Sequence, residues 1–251
     1  MTTIRVKCTL IEEALGLNAA DPDIHAKFVE LKKAKLKKAE ADEISANLDK
    51  EHDEIKRMAD ERRKLKNDID SLRTDAAENS LSVFFIDEET KKPYFTKHQI
   101  RGYIKDKFTI LKELKRGSFA TFKKMPKTVV NRQVFVGPDK ILIDLPPGEE
   151  MGRCTRPIRI EKFPVEENSI KVSESVPAGS TLKFSVGILD DSLKDCVIEA
   201  LEYGALHGLG QWRNSGKGRF HFAIWDEKKK KWIDHESTVE KELGLDDDLP
   251  D

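Results

Sequence analysis

Hydrophobic and polar positions alternate from the start of the chain. In TTIRVKCTLI, Ile4, Val6, Cys8 and Leu10 fall on one side and polar residues on the other, the period-two pattern of a strand with one buried face. NAADPD follows as a turn signal. From Asp23 to Lys92 there is neither glycine nor proline, and most of this stretch reads as helix. Its second half carries heptad spacing, with Leu48, Ile55 and Ile69 at one seam position and Ile44, Met58, Leu65 and Leu72 at the other. Glu51 and Arg62 interrupt that seam. One continuous helix of about 50 residues, roughly 75 Å long, and a hairpin turning near Asp42–Asn47 both fit the pattern. We expect a coiled-coil-like helical insertion over 23–77, serving either as a protein-partner site or as an intramolecular hairpin with a solvated charged face.

Beyond it, LSVFFID reads as a strand and EETKKPYF as a turn. TKHQIRGYIKDKFTILKELK is an amphipathic helix with Ile100, Ile104, Phe108, Leu111 and Leu114 on one side. Lys97, Arg101, Lys105, Lys107, Lys112 and Lys115 are assigned to its other faces. Short β-type runs follow in RQVFVG, KILIDL, RPIRIE, SIKVSESV and STLKFSVGIL, separated by turn signals at GPD, PPGEE and PAGS. DSLKDCVIEALEYGAL reads as a second amphipathic helix and RFHFAIWD as a closing strand. The pattern predicts an α+β fold: a ferredoxin-like, RRM-type antiparallel sheet with packed helices, in a single domain over 1–251. Residues 228–251 are expected to form a charged C-terminal tail.

Composition narrows the function classes. Of 251 residues, 36% are charged and 38% hydrophobic, against a usual charged share of about 25%, so part of the chain must be highly solvated. The net charge of −1 gives no global attraction to nucleic acid, and any basic surface has to be local. Cys8, Cys154 and Cys196 show no CxxC spacing, so neither a zinc site nor a disulfide framework is indicated. No apolar run reaches the roughly 18 residues of a membrane span. The expectation is a cytoplasmic protein without cofactor or metal and without a membrane partner.

The candidate chemistry lies in YGALHGLGQWRNSGKGRF, residues 203–220, which holds five of the chain's 14 glycines. It is not a phosphate loop of the Walker type, because five residues separate Gly210 from Gly216 and Lys217 is followed by glycine. It also lacks the strand–turn–helix setting of a dinucleotide fingerprint. What remains is Gly208-x-Gly210 and Gly216-x-Gly218 around Trp212, Arg213, Asn214, Ser215, Lys217 and Arg219. Glycines let a backbone approach another group closely, the cations suit phosphate, and Trp212 can stack on an unpaired base. A hinge or packing loop that touches no ligand is the competing reading. The basic helix adds Lys97, His98, Arg101 and Lys105 to the candidate nucleic-acid-binding set.

The loop, with SVPAGSTLKFSVGILDDS before it, resembles the C-terminal signature of the RAMP superfamily, the RNA-binding proteins that form backbone subunits and guide-processing nucleases of CRISPR effector complexes. The matching residues are Pro177–Phe184 and Gly208–Phe220. KKPYFTKHQIRGYIKD is similar to that family's helix start, with Pro93, Ile100, Arg101 and Gly102 on matching positions, although Lys97-His98-Gln99 replaces Gly-Ser-Ser. The resemblance implies side-by-side assembly along a strand in a multi-subunit complex. It carries over no catalytic aspartate, since Asp21, Asp23 and Asp87 align equally poorly. His98 or His207 are the candidates for a general base if the protein is a metal-independent ribonuclease. The first expectation is single-stranded RNA or DNA binding, and the second is a non-enzymatic interaction protein acting through 23–77.

Overall fold

The computed structural model describes residues 1–19, 81–162 and 165–235; the helical insertion expected over 23–77 lies outside the described residues. The strands are β1 (Thr2–Leu10), β2 (Ala14–Leu15), β3 (Asn18–Ala19), β4 (Ser82–Val83), β5 (Phe85–Ile86), β6 (Pro93–Thr96), β7 (Val134–Gly137), β8 (Lys140–Asp144), β9 (Gly152–Lys162), β10 (Val165–Val176), β11 (Thr181–Ile188), β12 (Phe220–Asp226) and β13 (Lys231–His235). The helices among the described residues are α1 (Lys97–Glu113), α2 (Pro126–Gln133) and α3 (Lys194–Glu202). The sequence expectation is one domain; by contacts, the described residues gather into two compact units. One holds residues 1–15, 86–151 and 176–235, the other 16–19, 81–85, 152–162 and 165–175.

The first unit is built on a sheet of order β13-β12-β1-β11-β8-β6-β5, with β7 also paired to β11. β1 pairs antiparallel with β11 (Val6↔Phe184) and with β12 (Cys8↔Phe222). β11 pairs antiparallel with β8 (Leu182↔Ile143). The core path β1-α1-β8-β11-α3-β12 therefore gives the order β12-β1-β11-β8. Each helix-containing crossover skips one strand, which is the split βαβ plan of a ferredoxin-like fold. The predicted α+β class and antiparallel sheet are what the chain adopts.

Local sequence accounts for the layers. β1 buries Ile4, Val6, Cys8 and Leu10, none more than 4% exposed, as its alternation requires. α1 starts at Thr96, whose backbone N–H donates to the Gln99 side-chain oxygen at 2.9 Å, half of a capping box. It buries Ile100, Tyr103, Ile104, Phe108 and Leu111, while Leu114, at the helix end, is 59% exposed. Phe108 packs edge-on against Phe119 at 5.0 Å and Phe122 at 6.1 Å between ring centroids. α3 buries Cys196, Val197, Ala200 and Leu201. All three cysteines are free.

In the second unit, β9 and β10 form a long antiparallel pair from Ser175↔Gly152 to Val165↔Lys162. β10 meets β4 in parallel at Ser173↔Ser82, and β4 pairs with β3 at Asn18↔Val83. Gly16 fits here because a Cβ on it would lie 2.4 Å from the Val83 carbonyl carbon.

Four local expectations change. KKPYF is no turn: Pro93–Thr96 is β6, paired with β8 through Tyr94↔Leu142, and the proline sits at the strand's first residue, where a missing N–H is tolerated. Pro126–Gln133 forms α2, hidden in sequence because its valines, threonine and asparagine are poor helix formers; Pro126 starts it at N1. Residues 231–235, assigned to the tail, form β13, paired to β12 with Ile224↔Ile233. The rest of the tail, 236–251, is outside the described residues. Lys107 is fully buried rather than on the solvated face. Replacing Phe108 by alanine should cost about 3–5 kcal/mol in urea unfolding, whereas Leu189→Ala, at a side chain 46% exposed, should stay within about 0.5 kcal/mol.

Candidate nucleic-acid interface

The loop from His207 to Arg219 begins where α3 runs out through a 3₁₀ turn at Tyr203–Ala205 and must deliver β12 beside β1. That return fixes the glycines. The Leu209 N–H donates to the Gly218 carbonyl and the Gly218 N–H to the Glu13 carbonyl, both at 2.8 Å. The Gln211 N–H donates to the Leu15 carbonyl at 3.2 Å. A Cβ on Gly208 would lie 1.9 Å from the Gly218 carbonyl carbon, and one on Gly218 the same distance from the Leu209 carbonyl oxygen. On Gly210 it would meet the Leu15 oxygen at 2.5 Å, and on Gly204 the Phe220 ring at 2.3 Å. The close backbone approach that these glycines permit is thus made within the chain. Gly216 differs in its surroundings: its φ is positive, +80°, as at Gly210 and Gly218, but a Cβ there would meet nothing nearer than the Arg219 side chain at 3.8 Å.

Between the two glycine pairs the chain rises to a rim. Trp212 has φ 57° and begins a 3₁₀ turn at Arg213–Ser215; its side chain is 39% exposed, and Asn214 and Ser215 are exposed. The cations around the rim are paired. Arg213 reaches the Asp106 carboxylate at 3.4 Å, Lys217 reaches Glu13 at 2.8 Å and Glu12 at 3.9 Å, and Arg219 reaches Glu12 at 3.8 Å. These are half-exposed ion pairs, each worth no more than about 1 kcal/mol, so phosphate can exchange with the carboxylates at small cost.

Beneath the rim lies a polar cluster that connects it to α1. The Lys107 ammonium, fully buried, contacts Asp106 at 2.9 Å and His207 Nδ1 at 2.5 Å. It also lies 5.2 Å and 5.5 Å from the Tyr103 and Tyr203 ring centres. His207 Nε2 is 2.9 Å from Asn214 Oδ1. Burial pushes the lysine below its ordinary range, with Asp106 opposing. Burial and then the Lys107 charge push the His207 imidazole down, the Asn214 contact opposing. Burial raises the Tyr103 phenol well above its usual value, and its hydroxyl donates to the Ala200 carbonyl at 2.9 Å.

The candidate residues therefore divide. Arg213, Asn214 and His207 come together with Asp106 and Lys107 of α1. Lys97 and Arg101 stand five to nine residues earlier on that helix, about 8–14 Å at 1.5 Å per residue, and have other partners. Lys97 pairs with Asp139 at 2.7 Å. Arg101 donates to the Val130 carbonyl at 3.2 Å and to that of Asn131, at the end of α2, where a cation favours the helix dipole, and stacks 5.6 Å from Phe135. His98 and Lys105 are half-buried on α1. Sequence reasoning missed Asp106 and Lys107. The signal for Lys107 is its place in the series 100, 104, 107, 108, 111, on the apolar stripe. Among the described residues no His, Cys, Asp and Glu group is arranged to hold a metal ion, and no helix is long and apolar enough to cross a membrane.

No protein-family model and no curated protein matches this chain in sequence. In structure the chain is similar to one in a cryo-EM structure of the Type III-B Cmr-beta bound to cognate target RNA, with a TM-score of 0.50 and 9% sequence identity. The match covers 94% of this chain and 61% of that chain, so this protein spans about three fifths of the length of the chain it matches. The likeness is one of fold.

The glycine contacts set an order of tolerance. Gly216→Ala should lose about 1–2 kcal/mol, the left-handed strain alone, whereas Gly208→Ala and Gly218→Ala should each lose more, because backbone has to move. Urea unfolding of the three variants checks that order.

Proposed function

We propose that this protein binds single-stranded nucleic acid, RNA in particular, on a RAMP-like fold, as a member of a multi-subunit assembly. The observation that supports this most is the fold's likeness to a chain from an RNA-bound Type III-B Cmr-beta structure, joined to the rim it carries at Trp212–Arg219. The rim offers an exposed indole to a base and cations and amides to a phosphate backbone. Its partners on this reading are RNA and neighbouring subunits.

Binding proceeds by exchange. As phosphates approach, Lys217 and Arg219 leave Glu12 and Glu13, and Arg213 loosens from Asp106. The tryptophan stacks on one base without choosing its identity, so sequence preference is low. The glycines do not cradle the ligand; they hold the rim to residues 13–15 so that its side chains stand outward.

The test is a titration of labelled single-stranded RNA, single-stranded DNA and duplex at two salt concentrations. Single-stranded RNA should bind most tightly. Trp212→Ala should cost about 1–3 kcal/mol, the usual worth of a stacked base. Replacing Arg213, Lys217 and Arg219 together should flatten the salt dependence by roughly 0.7 per lost phosphate contact. Unchanged affinity in the triple variant would remove the rim from the binding surface.

A further inference from the structure

The polar cluster under the rim has a direction. An ammonium is a donor only, so at 2.5 Å from Lys107 the His207 Nδ1 must accept. The ring proton then sits on Nε2, which donates to Asn214 Oδ1 at 2.9 Å. With its oxygen engaged, Asn214 turns its amide NH₂ away from His207 on an exposed side chain. Asp106 anchors the arrangement by holding both Lys107 and Arg213 through one carboxylate oxygen. We infer that Lys107 is a positioning residue which, through His207, orders the Asn214 amide so that the rim presents donors, Asn214 NH₂ beside the Arg213 guanidinium, to acceptor oxygens of a phosphodiester. The inference rests on the binding function proposed above and deepens it.

The arrangement sets an unusual pH response. A histidine in a nucleic-acid site ordinarily strengthens binding when acid gives it a charge. Here a proton on Nδ1 would face the Lys107 ammonium with no acceptor, and the groups around the ring are Asp106 and Lys107 with Tyr103 on α1, Tyr203 at the end of α3, and Arg213 on the rim. Asp106 is the anion among them, already bound to both cations. Protonation of His207 therefore breaks the Lys107 contact that fixes the ring; the Nε2–H bond to Asn214 survives and favours the charged imidazole, so the displaced ring carries the Asn214 amide out of its ordered position. Its folded pKa is depressed, so the ordered state is complete above the ordinary histidine value of about 6.5 and is lost as pH falls below that value through the folded pKa.

Two measurements test this on the full chain. The first is ¹⁵N NMR of the His207 ring without RNA, which reads tautomer and titration directly. We expect the Nε2–H form, titrating below free histidine; an Nδ1–H ring overturns the inference whatever RNA does. The second is affinity for a labelled single-stranded RNA between pH 8 and 5.5. Wild type should weaken on acidification. Lys107→Met, similar in length and without charge, should bind several-fold more weakly at pH 8 and reverse the trend, tightening in acid as the histidine becomes free to charge. Wild-type affinity that rises in acid, or a Lys107→Met profile parallel to wild type, overturns the positioning role. If the variant fails to fold by circular dichroism, the wild-type profile decides. Absence of RNA binding at every pH, with the expected tautomer present, removes the binding function and the phosphate as ligand while leaving the ordered Lys107–His207–Asn214 chain.

Discussion

The fold turns on one approach of backbone to backbone. To complete the second crossover, the chain leaving α3 has to set β12 antiparallel to β1 with Leu10 opposite Phe220. The loop that does so closes on itself between Gly208 and Gly218 and on residues 13–15. At these separations no side chain fits, so the hydrogen bonds from Leu209 and Gly218 exist only with glycine at the contact points. Everything above the contact, including the left-handed Trp212 and the turn at Arg213–Ser215, inherits its position from that closure. A loop that looks permissive in sequence is one of the more constrained parts of the molecule.

The same closure links stability to the site. Ion pairs from Lys217 to Glu13 and from Arg219 to Glu12 cross the seam between the loop and the end of β1, where the backbone hydrogen bonds also run. Being half-exposed, they hold little energy, and exchange of their carboxylates for another anion leaves the backbone seam intact. The buried Lys107 is different in kind. Removing its water is expensive, and Asp106, His207 and the faces of two tyrosines share the compensation. The rim is thus supported from below by a contact that cannot rearrange cheaply and from the side by contacts that can.

Much of the architecture was legible in the chain because periodicity reports which face is buried. Ile4, Val6, Cys8 and Leu10 mark β1, and Ile100, Ile104, Phe108 and Leu111 mark the inner side of α1. Where the signal depends on a distant partner it fails. Lys107 reads as one more surface lysine, since its ring neighbour lies 100 residues away, and periodicity alone does not say that an ammonium can occupy an apolar stripe. β6 and β13 are recognised only through the strands beside them, because four residues of PYFT and five of KWIDH are too short to show alternation. The glycine spacing announces a close approach but not its object, which is carbonyl and amide groups of the protein itself. The two groups of candidate residues on α1 separate for the same reason: sequence shows a basic helix, and only the fold shows that Arg101 is spent on α2 while Asp106 faces the loop.

The end strand β13 closes the described sheet opposite β5. It begins beside the Lys228–Lys231 run and shows Lys231, Ile233 and Asp234 to solvent, with Trp232 set edge-on to Trp225 at 5.3 Å. Charged side chains on an outermost strand discourage another strand from zipping onto it. Copies lying next to one another would therefore meet through side-chain surfaces instead of a shared ladder of peptide groups. Contacts of that sort are made and broken singly, so association at this edge would stay reversible and would not propagate by fusion of sheets.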